Sequence, residues 1–516
     1  MALCLSYLVA AFLALILQRL TTKQHAQNFF WADLSAIYVG AFFQSVFLVL
    51  TIRPLVALIF TFLTLFILAI TNWAKQKALR DEPLLFSDIT LLRQVFLYPA
   101  LYLPYLPYKT VLVAFGLLGL ALFFVFKQAQ IQISWVCYLF FLPPIIAILA
   151  TRFASWHRCM VKFLANIPLK LTVADIETYG PLGSAILHSL WHTFMRGQSL
   201  GIRPSKDEPY TKVAWGETLP RFSHWVSLRP KLPHLILIQE ESFADPRQFA
   251  TTLPKDILTN FDRLSLTGYL GELAVRAYGA YTMRTEYEVL TGIQAKDLGT
   301  DAFHPYWSAA KIPSWSIANF LRAKGYFTVC VHPFAKSFFY RNLALPNMGF
   351  DHFISLENFP IQEKFGPYIS DKSVAQVVLS LVQDERRPVF CFVITMENHG
   401  PWLDKRLLNC PKEDILDFKG LDPRISRYVT HIHNADKMLD LLTSGLQKLR
   451  LKSFLGIYGD HLPGLAPLIP ANFRDTPCLL WGSTTSHEQL AELYKGQKVF
   501  APAELGGLLL AGMMEL

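Results

Sequence analysis

Four apolar runs of strand length are followed by, or end on, side chains that can bind a metal ion or transfer a proton. The first run, residues 234–240, ends on Glu240 and is followed by Glu241-Ser242, and the second, residues 326–332, ends on His332. The third, residues 388–396, is followed by Glu397-Asn398-His399, and the fourth, residues 453–459, is followed by Asp460-His461. Carboxylate and imidazole groups are ligands for Mn²⁺, Mg²⁺ or Zn²⁺, and the absence of thiolates among them removes the strongest indication of zinc. The residue types therefore predict a divalent-metal site.

The elements that would position these side chains follow from the same runs. A fifth run lies at residues 476–482, and helical patterns separate several of the runs, for example at residues 425–449. Continuous apolar strands alternating with helices are typical of a mainly parallel sheet covered on both faces. Ligands of such sheets bind at the carboxyl ends of the strands, so we expect the four sets of side chains to converge at one edge.

The stretch GAYTMRTEYEVLTG, residues 279–292, offers a nucleophile. It places a glycine turn before a helix that begins near Thr282 to Thr285. Thr285 and Glu288 have the spacing of a capping box, which is a structural interpretation that does not need Thr282. A hydroxyl at a helix N-terminus beside a divalent cation can be deprotonated and attack phosphorus, because the helix dipole and the cation both stabilise the negative charge.

The first 150 residues predict a membrane domain. The chain of 516 residues is 52% hydrophobic and 14% aromatic, with a mean hydropathy of +0.30, and most of the excess lies before residue 151. Spans need about 20 apolar residues. Five helices are predicted: Leu3–Gln18, Leu34–Leu50, Leu55–Ile70, Val111–Phe126 and Ile133–Ala150. The first is expected to stay as a membrane anchor and not to be cleaved as a signal peptide. The last is expected to bend at Pro143-Pro144.

Three domains are expected on this basis. Residues 1–150 form a transmembrane domain, residues 151–230 form a linker with amphipathic or interfacial helices, and residues 231–516 form the α/β catalytic domain. The stretch 81–108, which charges and prolines interrupt, is predicted to be interfacial instead of spanning.

Charge and cysteine content exclude some classes of partner and site. The net charge is +9, but no dense Lys/Arg cluster or nucleic-acid module accompanies it, so no nucleic-acid partner is expected; attraction to anionic lipid or a solvated surface explains the charge. The seven cysteines give neither a CxxC metal spacing nor a dense disulfide framework, which leaves the redox compartment open.

Five short motifs, in this order behind the apolar segments, resemble the lipoteichoic acid synthase and phosphoglycerol transferase family, whose catalytic domain is sulfatase-like and related to alkaline phosphatase. They are QEESFAD, GAYTMRTEYEVLTG, SFFYRN, TMENHGPW and IYGDHLPG. The resemblance implies that Glu241, Asp460 and His461 bind one metal ion. It implies that Thr282, four residues before Glu286, is both the nucleophile and a fourth ligand.

The same resemblance implies a substrate pocket. His399 and Arg341 match residues that contact the phosphoglycerol group, and His332 is a further substrate-binding candidate. Phe339 stands where lipoteichoic acid synthases carry a Trp. Glu240 is assigned a structural role, because the alternation of side chains on a strand points it away from Glu241.

The implied reaction is a two-step transfer. Thr282, as an alkoxide on the metal, attacks the head-group phosphate of phosphatidylglycerol and releases diacylglycerol, and an acceptor hydroxyl then attacks the phospho-threonine. The acceptor would be a cell-envelope glycan or polymer: a teichoic-acid-like chain, a periplasmic glucan, a capsule or a lipopolysaccharide sugar. We expect Mn²⁺, before Mg²⁺ or Zn²⁺, as the cofactor.

The loop charges and the family resemblance predict opposite membrane orientations for the catalytic domain. Lys and Arg are commonest after the first, third and fifth predicted spans, which by the positive-inside rule places the C-terminal part in the cytoplasm. The family works on the extracytoplasmic face of the bacterial inner membrane. Five spans with an internal amino terminus give that second orientation, and it is the one expected here.

Three alternatives remain beside the transferase. A sulfatase would need Cys or Ser in a C/S-x-P-x-R context, and Thr282-Met283-Arg284 lacks both that residue and the Pro, which argues against sulfate-ester hydrolysis. A phosphoethanolamine transferase acting on a lipopolysaccharide or glycan shares the ligand types but usually carries disulfides in its catalytic domain. A catalytically silent membrane scaffold would not need all four expected ligands.

Overall fold

The computed structural model describes residues 2–21, 29–80, 82, 84–102, 108–170, 174–195 and 213–516. The chain divides into two compact units, Met1–Ser199 and Leu200–Leu516. The division falls inside the predicted linker, and the predicted boundaries at residues 150 and 230 stay predictions.

The described part of the first unit consists of helices and the short segments that connect them. Its α-helices are α1 Ala2–Thr21, α2 Phe29–Thr51, α3 Pro54–Ala78, α4 Leu92–Leu97, α5 Pro99–Tyr102, α6 Tyr108–Lys127, α7 Val136–Leu139, α8 Leu142–Ala150, α9 Ala154–Ala165 and α10 Ala174–Met195. Helices α1, α2 and α3 pack against one another, and α10 packs against α2. Inside this bundle the buried Gln44 amide donates to Ser6 Oγ at 3.1 Å, which gives the polar group a partner among apolar side chains.

The prediction of five spanning helices is wrong. Among the described residues, three helices are long and apolar enough to cross a membrane: Ala32–Thr51, Pro54–Ala78 and Tyr108–Lys127. A fourth arises only if Val136–Ala150 and Ala154–Ala165, which meet at a bend of 110°, count as one span. The first predicted span offers the shorter apolar stretch Leu3–Arg19, and the predicted fifth is too short because α7 ends before Pro143-Pro144 and α8 begins there.

The predicted interfacial stretch contains no spanning helix in its described part. It consists of a 3₁₀ turn, Phe86–Leu91, and the short helices α4 and α5. Asp88 in the 3₁₀ turn accepts a hydrogen bond from Lys75 Nζ of α3 at 2.7 Å, which holds this stretch against the bundle.

The second unit is built on an eight-stranded sheet. The strands are β1 His234–Glu240, β2 Tyr269–Leu273, β3 Phe327–Val331, β4 His352–Ile354, β7 Val389–Ile394, β8 Ser453–Gly459, β9 Thr476–Gly482 and β10 Val499–Phe500; β5 Lys364–Phe365 and β6 Tyr368–Ile369 form a separate hairpin. The order in the sheet is β10-β2-β9-β8-β1-β7-β3-β4. Only β9 runs against its neighbours, so the prediction of a mainly parallel sheet is confirmed.

Helices cover both faces of this sheet. They are α11 Thr218–Ser227, α12 Thr259–Thr267, α13 Thr282–Thr291, α14 Pro305–Ala309, α15 Ile317–Arg322, α16 Arg341–Asn347, α17 Asp371–Asp384, α18 Pro423–Lys448, α19 His487–Leu493 and α20 Leu505–Met514. One face buries Ile236 and Ile238 against α12, α17 and α18. On the other face α20 lies so close to β8 that a Cβ on Gly456 would meet Leu509, so this strand needs a glycine at that position.

All five predicted strand runs form strands of the sheet. The strands of this sheet that the sequence did not indicate are β2, β4 and β10, and the hairpin strands β5 and β6 were not indicated either. β4 and β10 are three and two residues long, and β2 carries the exposed Glu272, so none of them shows a continuous apolar run. Their pairing is decided by the neighbouring strand and not by their own composition.

Candidate active site

The register of β1 and β8 explains why Glu241 and Asp460 meet. The two strands pair in parallel with Glu240 opposite Gly459, so the residue that follows each strand emerges side by side at the carboxyl edge. A Cβ on Gly459 would collide with the main-chain oxygen of Phe243, which follows the turn after β1. The close approach of the two loops therefore depends on a glycine at the end of β8.

Glu241, Asp460 and His461 form the candidate metal centre. One ligand atom from each lies within 4.8 Å of the others, and all three residues are buried. His461 Nε2 is 3.5 Å from Glu241 Oε1 and 3.3 Å from Asp460 Oδ2. His461 Nδ1 is 3.0 Å from the Leu462 main-chain oxygen, so the proton of a neutral ring sits on Nδ1 and the lone pair on Nε2 faces the carboxylates.

The local electrostatics fit a divalent cation. Asp460 Oδ1 accepts main-chain hydrogen bonds from Ser242 at 2.8 Å and His461 at 2.9 Å, whereas Asp460 Oδ2 is buried without a hydrogen-bond donor. Burial, reinforced by Glu241, raises the pKa of Asp460 to about 7, and burial likewise raises the pKa of Glu241. Burial opposes a charged His461, but the two carboxylates outweigh it and raise the pKa of the ring. A cation held by these atoms would relieve both buried negative charges.

The structure brings Thr282 to this cluster. Thr282 is buried and is the first residue of α13, and the preceding Tyr281 has a left-handed backbone with φ of 64°. Its side chain lies close enough to the Asp460 carboxylate to lower that group's pKa, against the larger effect of burial. The hydroxyl therefore sits both at a helix N-terminus and beside the candidate ligands.

The capping-box interpretation of Thr285 is wrong. Because α13 begins at Thr282 and has Tyr281 at its N-cap, Thr285 lies within the first turn. Its hydroxyl instead donates to the main-chain oxygen of Asp460 at 2.8 Å. Thr285 thus ties α13 to the loop after β8 and helps to fix the distance between Thr282 and the cluster.

Arg341 is held by a buried ion pair. Its Nε and Nη2 donate to the two carboxylate oxygens of Glu286 at 3.1 and 2.7 Å, and both side chains are almost completely buried. Glu286 also accepts from the Tyr306 hydroxyl at 2.5 Å and from Gln239 Nε2 at 3.2 Å. Since Thr282 and Glu286 are one helical turn apart, α13 positions both the hydroxyl and the group that orients Arg341.

His332 lies behind Arg341. Its Nδ1 is 3.0 Å from the Ile394 main-chain oxygen and its Nε2 is 3.3 Å from Arg341 Nη1, so both ring nitrogens have partners. Burial and then Arg341 lower the pKa of His332 well below its usual value, so the ring is neutral and accepts from the guanidinium. The ring of Phe339 packs on the same guanidinium, with 5.3 Å from its centroid to Arg341 Cζ.

His399 is half-buried, five residues after the end of β7 and near the start of the loop that leads to α18. Its Nδ1 is 2.7 Å from the Gly400 main-chain oxygen, which commits that nitrogen's proton and leaves Nε2 for the pocket. Burial lowers the pKa of His399 to about 4. The ring is therefore neutral at pH 7, with its lone pair on Nε2.

Glu240 lies apart from the metal cluster. Its Oε1 accepts from Thr395 Oγ1 at 3.0 Å, while the main-chain N–H of Glu241 donates to that same oxygen atom of Thr395 at 2.9 Å. Burial raises the pKa of Glu240 to about 8, and burial followed by the proximity of Glu240 raises that of Asp371. The two carboxyl groups thus form a buried acidic pair beneath the site.

Sequence reasoning missed a second polar network at the site. It joins Arg406, Tyr368, His431 and the Glu397 carboxylate, which accepts from His431 Nδ1 at 3.0 Å and from Asn434 Nδ2 at 2.8 Å. Of these four residues, Glu397 alone follows one of the predicted strands. Arg406 lies in a polar loop, Tyr368 in a two-residue strand and His431 inside a helical pattern, so no sequence signal connects them.

Residues 233–506 match the sulfatase family, which is more than half of the chain. The chain belongs to the sulfatase family. The resemblance to a sulfatase-like family, expected from the five motifs, is therefore confirmed at the level of the family.

Two proteins of Rhizobium meliloti (strain 1021) are similar in sequence. Capsular polysaccharide biosynthesis protein RkpI is 29% identical over 443 residues, which cover 81% of this chain and 75% of RkpI. A putative cyclic beta-1,2-glucan modification protein is 30% identical over 236 residues, which cover 45% of this chain and 36% of that protein.

Some solved structures are similar to this chain at low sequence identity. The Streptococcus pyogenes phosphoglycerol transferase GacH, in complex with sn-glycerol-1-phosphate, is 20% identical with a TM-score of 0.45 and covers 61% of this chain and 88% of its own. The lipoteichoic acid synthase LtaP from Listeria monocytogenes is 18% identical with a TM-score of 0.41 and covers 61% and 77%. The zinc complex of the C-terminal periplasmic domain of EcEptC from Escherichia coli is 17% identical with a TM-score of 0.38 and covers 54% and 81%.

Proposed function

We propose that this chain is a membrane-anchored, metal-dependent transferase that moves a phosphoglycerol head group from phosphatidylglycerol to a cell-envelope glycan or polymer. The observation that carries the proposal is the convergence of Glu241, Asp460 and His461 beside Thr282 at the start of α13. Two acidic ligands, one imidazole and one hydroxyl match a phosphoryl-transfer centre in both chemistry and burial.

Glu241, Asp460 and His461 would hold one divalent cation, with the Thr282 hydroxyl as a fourth ligand. Asp460 Oδ2 is buried without a hydrogen-bond donor, and His461 Nε2 carries a lone pair, so these two atoms are the ligand atoms best placed to bind the cation. When bound, the cation supplies Lewis acidity toward the hydroxyl and the phosphoryl oxygens. We propose Mn²⁺, because the oxygen-rich donor set lacks thiolates, with Mg²⁺ and Zn²⁺ as the ions to compare.

In the first proposed step Thr282 Oγ forms a bond to the donor phosphorus, and the bond from phosphorus to the diacylglycerol oxygen breaks. The proton lost by Thr282 ends on the leaving diacylglycerol. Arg341, fixed in direction by Glu286 and His332, donates hydrogen bonds to phosphate or glycerol oxygens. Buried and pre-oriented donors of this kind need no reorganisation when charge develops.

In the second step the acceptor hydroxyl attacks the phospho-threonine, and Thr282 Oγ leaves and regains a proton. His399 Nε2 is placed to take the acceptor's proton, because Nδ1 is committed to Gly400 and the neutral ring has its lone pair on Nε2. The net result is transfer of one head group with no change in oxidation state.

The acceptor and the location are part of the same proposal. The names of the two similar Rhizobium meliloti proteins refer to capsular polysaccharide and to a cyclic glucan, which favours a glycan acceptor. The apolar helices of the first unit would keep the enzyme at the bilayer that contains its lipid donor. The proposed location is the bacterial inner membrane, with the second unit on its extracytoplasmic side.

The test is head-group release by the full-length protein in lipid–detergent micelles. Phosphatidylglycerol and phosphatidylethanolamine, each labelled in the head group, are supplied with Mn²⁺, Mg²⁺, Zn²⁺ or a chelator. We expect metal-dependent diacylglycerol release from phosphatidylglycerol. Release from phosphatidylethanolamine alone would reassign the head group, and release from neither lipid would contradict the transferase.

The intermediate can be located on one tryptic peptide. Residues 277–284, AYGAYTMR, contain Thr282 as their single Ser or Thr, whereas Thr285 falls in the next peptide. Mass spectrometry after an acid quench should find the phosphoglycerol adduct on Thr282 in the wild type. T282A should lose the adduct and turnover, T282S should keep both in part, and a silent scaffold would show the same phenotype in all three.

A further inference from the structure

Two guanidinium groups lie within electrostatic reach of the candidate metal centre. Arg406 Nη2 donates to the main-chain oxygen of Glu397, and the next residue, Asn398, donates from Nδ2 to the main-chain oxygen of Glu241 at 3.1 Å, so this guanidinium lies close to the cluster. Arg341 carries the second guanidinium, and the ring of Phe339 packs on it in the same pocket. Arg406 also lowers the pKa of His399, although less than burial does. The two cations differ in how their charges are compensated.

The charge of Arg341 is already cancelled inside the protein. Glu286 binds it through two parallel hydrogen bonds at 2.7 and 3.1 Å, and the carboxylate is completely buried. A bidentate pair in such surroundings presents almost no net charge to a ligand. Arg341 can donate hydrogen bonds to a phosphate, but it brings little attraction for the phosphate's charge.

Arg406 has only neutral partners in direct contact. Its Nη2 donates to the Glu397 main-chain oxygen at 2.6 Å, its Nε donates to His431 Nε2 at 3.0 Å, and the ring of Tyr368 lies 4.9 Å from its Cζ. In the described part of the chain no carboxylate lies within ion-pair distance of it. The Glu397 carboxylate reaches it only through His431, whose Nδ1 binds Glu397 Oε1.

Arg406 is also held firmly against the pocket wall. It is 8% exposed, and the β5–β6 hairpin packs on its main chain so closely that Gly366, with φ of 66°, leaves no room for a Cβ against the Arg406 oxygen. Tyr368 from the same hairpin stacks edge-on with His399 at a centroid distance of 5.8 Å. The hairpin thus places Arg406 and His399 in one wall of the site.

We propose that Arg406 binds the phosphate of the donor and supplies to the pocket a positive charge that no carboxylate contacts directly, with Tyr368 and His431 as the residues that position it. A buried guanidinium without a carboxylate partner is a poor element of a protein core and a good site for an anion. The assignment rests on the proposed function, and it adds to the site an anion-binding residue that the sequence did not indicate.

The experiment measures binding of methylphosphonate, with neutral glycerol as the uncharged comparison. Titration calorimetry is run on full-length, Mn²⁺-loaded protein in detergent, so no lipid turnover is needed. We expect R406M to weaken methylphosphonate binding by about 10- to 100-fold, the range for a charged hydrogen bond, and R406K to fall between R406M and the wild type. Glycerol binding should change by less than about twofold.

Two further variants make the assignment falsifiable. R424M removes an exposed guanidinium that is paired with Asp422, and it should bind methylphosphonate like the wild type. The double variant R341M/E286Q removes the buried pair together, and it should lose less affinity than R406M. A rise in unfolding temperature on adding Mn²⁺ verifies that each variant keeps the metal cluster.

The assignment is overturned if R406M binds methylphosphonate as the wild type does, if the double variant loses more affinity than R406M, or if the wild type does not bind the probe. The protein could bind methylphosphonate in a way that depends on Arg406 and yet cleave neither labelled lipid. The assignment of Arg406 as an anion-binding residue would then stand. That result would contradict the lipid-transferase proposal alone, so the two failures are distinguishable.

Discussion

Glu286 shows how one residue can serve the site without touching substrate. It neutralises Arg341, accepts from Tyr306 and Gln239, and lies one helical turn from Thr282. Removing a single partner of a buried ion pair leaves an uncompensated charge, which is far more costly than losing the pair's own attraction. The residue is therefore expected to matter for stability as well as for activity.

E286Q should lower the free energy of unfolding by about 3 to 5 kcal/mol, because the Arg341 guanidinium would stay buried without its carboxylate. Thermal or denaturant unfolding of the full-length protein measures the change. The matched control is E385Q, which removes a carboxylate from the exposed pair with Arg387 and should leave stability almost unchanged. Equal effects of the two substitutions would contradict this account of Glu286.

At the scale of the elements, Thr395 joins the carboxyl ends of β1 and β7. Its hydroxyl donates to Glu240 Oε1 at 3.0 Å and accepts the main-chain N–H of Glu241 at 2.9 Å. The two strands are in register up to Gln239 and Ile394, so Thr395 is the first residue past their pairing. It sets the direction in which the Glu241 ligand leaves the sheet.

T395V should destabilise the protein by about 1 to 3 kcal/mol and weaken metal binding, because an isosteric methyl group leaves a buried donor and a buried acceptor unpaired. T395S keeps the hydroxyl and is the control that should retain most of both properties. The checks are unfolding free energy and metal titration by calorimetry. Metal affinity equal to the wild type in T395V would show that Glu241 is positioned without this bridge.

At the scale of the whole molecule, the metal-free protein should lose stability as pH rises from about 6.5 to 8, above the range in which His332 and His399, whose pKa values burial lowers, give the opposite dependence. Asp460 and Glu240, with pKa values raised by burial to about 7 and about 8, hold protons in the folded state that their unfolded counterparts have already released. The stability contributed by this extra proton binding is present below the unfolded pKa values. It disappears as pH passes the folded ones.

Mn²⁺ should accordingly raise the unfolding temperature more at pH 8 than at pH 5.5, because at the lower pH it must displace a proton from Asp460. Differential scanning calorimetry with and without Mn²⁺ measures the difference. D460N, which cannot titrate, should lose both the metal effect and its pH dependence. A metal effect that is constant over this range would contradict the assignment of Asp460 as a ligand.

The orientation of the chain in the membrane has its own test. The expectation is an extracytoplasmic catalytic unit, although the loop charges favour the opposite and the structure gives three to four spans instead of five. A cysteine engineered at the exposed Ile361, in a variant with Cys4, Cys159 and Cys410 replaced by Ser, should react with a membrane-impermeant reagent added from outside intact spheroplasts. Labelling only after lysis would place the catalytic unit in the cytoplasm and rule out the proposed location.

The sequence by itself determined the five apolar strands, the parallel sheet and the residues that end its strands. Burial on both faces forces continuous apolar runs, and parallel strands share one carboxyl edge, so such features are visible in a linear pattern. For that reason Glu241, His399, Asp460 and His461 were among the candidates at the strand ends, and the turn before α13 offered Thr282. The family resemblance selected Glu241, Asp460 and His461 as the metal ligands and added Arg341.

Only the tertiary structure decided which groups face one another. It placed Thr285 on the Asp460 main chain instead of at a helix cap, set His332 behind Arg341, and brought Arg406 to Tyr368 across 38 residues of chain. It also divided the fifth predicted span, because α7 ends at Leu139 and α8 begins at Leu142, beside Pro143-Pro144. Hydrophobic pattern encodes which residues are buried, whereas contacts between polar side chains depend on how distant segments fold together.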